Sequence, residues 1–199
     1  MGRPQQITDQ EVLAAARAAF LRHGPSVSTA TIAEQAGLSQ AAVFKRFGTK
    51  ENLMLRALAP EPWPEWLRQV DAGPDDRPIT DQLHAIGTGA LRFFRGVVPC
   101  LMVLRASGLG PECMHEQFDE PPPLRTRRIL ASWFEQAAAR GQLRCDDPAD
   151  LALHFMGALH VRAFLGHLFA DASPVERDED YVAQLVDTMW NGIAPRGDG

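Results

Sequence analysis

Apolar residues in this chain recur at intervals of three and four, punctuated by glycine and proline, and nowhere alternate long enough to suggest a strand. Thr8 opens the first helical run, and Glu11, three residues on, completes a capping box with it. Val12, Leu13, Ala16, Ala19 and Phe20 form one stripe along Val12 to His23, which Gly24-Pro25 ends. A short run follows with Ile32, Ala33 and Ala36 inward. It stops at Gly37, where the chain needs a positive φ that glycine adopts without penalty. Ser39 caps the next run, in which Val43 and Phe47, four apart, face inward. Lys50-Glu51-Asn52-Leu53 opens a fourth, burying Leu53, Met54, Ala57 and Leu58.

Pro60, Pro62 and Pro64 interrupt the pattern, since each removes a backbone donor and restricts its predecessor. Trp66, Leu67 and Val70 suggest a further turn or two before Gly73-Pro74. The stretch Ile79 to Arg95 carries Leu83, Ile86, Ala90, Leu91 and Phe94 at helical spacing, and Pro99 is expected to start a separate short helix, Cys100 to Ala106. Residues 111–123 read as a loop. A helix from Pro123 to Arg140 places Ile129, Leu130, Trp133, Phe134 and Ala137 inward. Asp147-Pro148 caps a long one to about Ala170, with Leu151, Phe155, Leu159 and Ala163 on one stripe. A last helix, Arg177 to Trp190, is expected to bury Tyr181, Leu185 and Met189. The fold class is all-α.

Within this series, Thr29 to Lys50 has the arithmetic of a helix-turn-helix: two short helices, a glycine turn, and a small residue (Ala33) where the helices cross. The second helix of that motif enters the DNA major groove. Its outward positions are Gln40, Ala41, Ala42, Phe44, Lys45 and Arg46. Gln40 can pair with the adenine N6/N7 edge, the two alanines permit close approach to a thymine methyl, and Arg46 can neutralise a phosphate, as Lys45 can, or read a guanine. The net charge of −5 opposes DNA binding only until it is divided. Residues 1–50 hold six basic and three acidic side chains, a net of +3, while the remainder, with 14 basic and 22 acidic, carries −8. The basic end meets phosphate and the acidic body is repelled.

Ile32-Ala33, Ala36-Gly37-Leu38-Ser39 and Val43-Phe44-Lys45-Arg46-Phe47-Gly48-Thr49-Lys50-Glu51-Asn52-Leu53 resemble the DNA-binding region of the TetR (tetracycline-repressor) family of bacterial regulators. The resemblance covers residues 3–58. It implies a three-helix DNA-binding domain over residues 1–49 and a helical ligand-binding and dimerisation domain over 50–199. It also implies a homodimer through a four-helix bundle of the last two helices, a palindromic operator, and a small effector that releases a repressor from it. Arg3, in a Gly-Arg-Pro arm, Thr29, Ser39 and Lys50 join the six outward positions as expected DNA contacts. Two residues depart from the family pattern: Phe44 stands where tyrosine is usual, and Arg46 where histidine is frequent. Leu153, Met156, Leu165, Leu168 and Val182 remain over once one intramolecular stripe is assigned, as a dimer face requires.

Phe93, Phe94, Leu101, Met102, Leu104, Phe118, Trp133 and Phe155 are candidates to line an apolar effector cavity among the central helices. No cofactor or metal is expected. His160 and His167, seven apart, are too far separated to share an ion, and Cys113-Met114-His115-Glu116 is only a weak ligand set. No H-E-x-x-H, C-x-x-C, G-x-S-x-G or P-loop pattern supports an enzyme. The N-terminus is no signal peptide and no apolar run approaches the roughly 18 residues that span a bilayer, so a cytoplasmic protein is expected. The three cysteines, Cys100, Cys113 and Cys145, lack metal spacing and read as reduced thiols. Two other readings stand beside the regulator: a thiol-based redox sensor triggered by one of these cysteines, and a helical interaction module that has lost DNA binding.

Overall fold

The computed structural model describes residues 7–109, 120–169 and 175–193. Among these residues the chain is all helical, with no strand. In order come α1 (Asp9–His23), α2 (Thr29–Gln35), α3 (Gln40–Phe47), α4 (Lys50–Leu58), α5 (Glu65–Asp71), α6 (Ile79–Ala106), α7 (Pro122–Ala139), α8 (Pro148–Leu168) and α9 (Asp178–Ile193), the last preceded by a 3-10 turn over Val175–Arg177.

Local chemistry sets the helix ends. The Thr8 hydroxyl accepts from the Glu11 N–H while the Glu11 carboxylate accepts from the Thr8 N–H, a complete capping box. Ser28, Ser39, Thr49 and Asp147 cap α2, α3, α4 and α8 more simply, each side-chain oxygen accepting from a backbone N–H two or three residues on. Helix α2 ends in a Schellman motif: the Leu38 N–H reaches Ala33 O at 2.9 Å and the Gly37 N–H reaches Glu34 O at 3.0 Å, with Gly37 at φ +68°.

Packing divides the chain into two compact units, Met1–Pro60 with Pro99–Asp119, and Glu61–Val98 with Glu120–Gly199. The core of the first unit combines Val12, Phe20, Ile32, Val43 and Phe47 with Leu53 and Leu58 of α4 and with Cys100 and Leu104 near the end of α6. Both α4 and that end of α6 therefore pack with the N-terminal helices, whereas the sequence boundary at residue 49 assigns them to the second domain.

The core of the second unit gathers Trp66, Leu67 and Val70 of α5, Leu83 to Val98 of α6, Trp133 and Phe134 of α7, Phe155 and Leu159 of α8, and Val182 and Val186 of α9. Two glycines of α6 allow close approach: a Cβ at Gly87 would lie 2.8 Å from Val182 Cγ1, and one at Gly89 would lie 2.7 Å from Trp66 Cβ. Gln82, buried, holds the preceding loop by donating to Asp75 O and Arg77 O and accepting from the Asp75 N–H. Arg95 and Arg162 both pair with Asp178, joining α6, α8 and the start of α9 through partly buried charges.

Three sequence expectations are corrected. Pro99 does not start a helix but lies within α6: a proline removes one hydrogen bond, and buried residues on either side keep the helix running. In consequence α6 is long and apolar enough, by length and composition, to cross a membrane, although Leu83, Ile86, Leu91 and Phe94 face the core of the second unit. In α9 the fully buried positions are Val182 and Val186, while Tyr181, Leu185 and Met189 are only half-buried. Val182 is the residue that the close approach at Gly87 admits. Met156 and Val182, assigned to a partner face, are core residues of their own unit, while Leu153, Leu165 and Leu168 are exposed.

Candidate nucleic-acid interface

The first unit presents one short helix whose two sides differ sharply. Val43 and Phe47 fix α3 in the core, and Ser39 Oγ accepts from the Ala42 N–H to start it. Gln40, Ala41, Phe44 and Lys45 are exposed, and Ala42 is half-buried. Phe44 is 41% exposed, a large ring left in solvent on a helix that has an apolar side available. The next helix, α4, follows from Lys50, which is half-buried at its first position. Asn52 braces the junction, its amide donating to Phe47 O at 2.7 Å, and Arg56 lies 4.9 Å over the Phe47 ring.

Two expected contacts sit elsewhere. Thr29 is 6% exposed at the first position of α2, so its side chain is packed rather than offered to a phosphate. Arg46 is turned inward: its Nη1 donates to the carbonyl of Ile7 at 2.7 Å and lies 3.6 Å from Asp9 Oδ1, with 26% of the side chain exposed. Spacing along α3 shows neither partner, because both come from the start of α1. Arg3 lies outside the described residues.

The apolar candidates of the second domain do not gather into one cavity. Phe94, Trp133 and Phe155 are buried in the close-packed core of the second unit, where Phe93 is half-buried between Trp66 and Phe94. Leu104 belongs to the core of the first unit, Met102 is exposed and Leu101 half-buried. Phe118 lies outside the described residues. Periodicity marks a side chain as buried without saying which core receives it. Among the described residues of the second unit, two clefts use none of these eight. One, of about 610 Å³, lies along α7 and the start of α8, with Leu124, Ala131, Pro148 and Ala149 beside Arg127 and Arg128. The other, of about 210 Å³, lies between α6 and α9, lined by Thr88, Leu91, Arg92, Arg95, Val175 and Val182 among others.

Burial pushes the Cys100 thiol pKa above its ordinary value, against the charge of Arg17, and pushes Cys145 up likewise. A raised pKa keeps a thiol protonated and slow to oxidise. Cys113 lies outside the described residues. Burial lowers the pKa of His160, whose ring centroid lies 4.0 Å from that of Phe94 with the rings tilted by 43°. Among the described residues no group of three or more His, Cys, Asp or Glu could hold a metal ion.

A short capped helix behind a glycine turn, buried on one side and exposed on the other, has the geometry of the second helix of a helix-turn-helix. Residues 12–57 match the model of bacterial regulatory proteins of the tetR family. Residues 82–191, more than half of the chain, match that of the AefR-like transcriptional repressor C-terminal domain. The chain belongs to the TetR family of transcriptional regulators. No curated protein matches it. Among solved structures it is similar to GusR of Salmonella enterica, at 19% identity over 94% of this chain and 98% of that one, with a TM-score of 0.68. A TetR-family regulator from Pseudomonas syringae pv. tomato is 21% identical over 94% and 97%, with a TM-score of 0.67. PfmR from Thermus thermophilus is 20% identical over 96% and 100%, with a TM-score of 0.63. These likenesses bear on the fold.

Proposed function

We propose that this protein is a homodimeric, sequence-specific repressor that leaves a palindromic operator when a small, largely apolar molecule binds within residues 50–199. The observation that carries the DNA reading is the exposed side of α3. Gln40, Ala41, Phe44 and Lys45 stand in solvent while Val43 and Phe47 hold the helix rigidly behind them. Gln40, at the helix start, is placed for bidentate pairing with adenine, the alanines let the helix seat deeply, and Lys45 and Lys50 meet phosphates. Phe44 supplies apolar contact without the hydrogen bond that a tyrosine would add.

Dimerisation is supported by α8, which is apolar on both sides: Ala152, Phe155, Leu159 and Ala163 are buried, while Leu153, Val161, Phe164, Leu165 and Leu168 are exposed. An exposed stripe of that length calls for a partner, and a two-fold pair presents two recognition helices to half-sites about 34 Å apart. Release then follows as a population shift, the effector favouring a dimer whose helix spacing misfits successive major grooves.

The test is selection of duplexes from a random pool by the purified protein at two salt concentrations. One recovered palindrome with half-sites about a helical turn apart supports the reading. Recovery of unrelated sequences that modest salt removes would leave only phosphate binding and favour the interaction module.

A further inference from the structure

Helix α6 turns one face toward the start of α9 across the cleft of about 210 Å³. Leu91 and Val182, both buried, give the cleft its apolar floor, and Thr88 and Arg92, one turn apart on α6, stand in its wall. Pockets for drug-sized molecules are larger, so a ligand here has one ring or a few carbons. The charge of the cleft is uneven. Asp178 is held by Arg95 at 2.6 Å and by Arg162 at 3.0 Å, while Arg92 is exposed and makes no ion pair among the described residues. With Arg162 included, three cations stand against Asp178 and Glu179. The Thr88 hydroxyl is buried and has no hydrogen-bond partner. A helical threonine has two rotamers, often chosen by a bond from the hydroxyl to the preceding turn. Without that bond, rotation about χ1 brings the oxygen to the cleft in place of the methyl group.

We propose that this cleft binds a small hydroxy acid, with its carboxylate on Arg92, its apolar body on Leu91 and Val182, and its hydroxyl on Thr88. This gives the effector of the reading above a chemical class, and its regulatory meaning rests on that reading. Asp178 ties α6 and α8 to the start of α9 beside the cleft, so occupation bears on the two helices expected to form the dimer.

The experiment is an NMR titration of 4-hydroxybenzoate with the full-length protein, followed on the ligand's signals. Benzoate, which lacks the hydroxyl, and 4-hydroxybenzamide, which lacks the charge, are the controls. Thr88→Val is expected to weaken 4-hydroxybenzoate roughly three- to tenfold and to leave benzoate within about twofold. Arg92→Gln is expected to weaken 4-hydroxybenzoate at least about fivefold and to leave 4-hydroxybenzamide within about twofold. A general loss of packing would weaken ligand and control alike. Neither substitution threatens the fold, since Arg92 is exposed and valine matches threonine in shape. No saturable binding of 4-hydroxybenzoate up to about 10 mM, or losses that do not depend on the ligand's hydroxyl and charge, would overturn the site. Repeating the titration with the selected duplex bound separates the site from the mechanism. A ligand that binds with these dependences and leaves the duplex in place keeps the site and overturns effector release. Release by another molecule, with no acid bound, overturns the site alone.

Discussion

Replacing Gly37 with alanine tests the turn that aims α3. Gly37 has φ +68°, and a Cβ there would meet only Ile7 Cδ1, at 3.4 Å. Space is therefore not the obstacle. The cost is the left-handed backbone itself, about 1–2 kcal/mol for an L-residue, less for asparagine and more for a β-branched side chain. Gly37→Ala is expected to lose that amount of stability, roughly a five- to thirtyfold change in the folded-to-unfolded ratio. Gly37→Asn should lose less and Gly37→Val more. Gly96 supplies the contrast: it lies inside α6 at an ordinary φ, with nothing within 4 Å of an added Cβ. The same change there is expected to gain about 0.5–1 kcal/mol, because glycine is a poor helix former. Urea unfolding at one protein concentration measures both, the concentration being held because dimerisation shifts apparent stability. Midpoints moving the same way in the two alanine variants, or asparagine costing as much as alanine at residue 37, would refute the reasoning.

Leu165→Glu puts a charge on the exposed apolar face of α8, so light scattering should show a monomer and operator affinity should fall; a dimer that persists would place the interface elsewhere. Gln82→Leu removes the partner of three backbone groups in the loop before α6, an expected loss of about 2–4 kcal/mol in urea unfolding, and no loss would mean that water replaces the amide. Burial lowers the pKa of His160 below its ordinary 6.5. The unfolded chain therefore binds more protons than the folded one between the lowered value and 6.5, so stability is full above 6.5 and declines as pH falls through that interval. The melting temperature should fall between about pH 7 and about pH 5, and His160→Phe should remove part of that slope; an unchanged slope in the variant would locate the titration in another group.

The sequence by itself determined whatever is enforced over a few residues. Thr8 with Glu11, Ser39 and Asp147 announce helix starts because a cap is a bond to a backbone group two or three positions on. Gly37 announces the turn because its φ constrains residue type directly. The inward stripes of α1, α3, α6 and α7 follow from helical period alone, and with them the helix-turn-helix. Tertiary structure decided what depends on a neighbour remote in sequence. Arg46 reads as an outward cation until Ile7, 39 positions earlier, accepts its hydrogen bond. Pro99 reads as a helix start until the flanking helix is held by packing on both sides. Leu104 and Phe94 read as one cavity until each is found in a different core. Val182 reads as a dimer contact until a glycine on α6 lets it come within reach. Periodicity fixes that a side chain is buried, because burial follows the helix's own geometry. Which surface covers it depends on shape at the crossing, and that is a property of two elements at once.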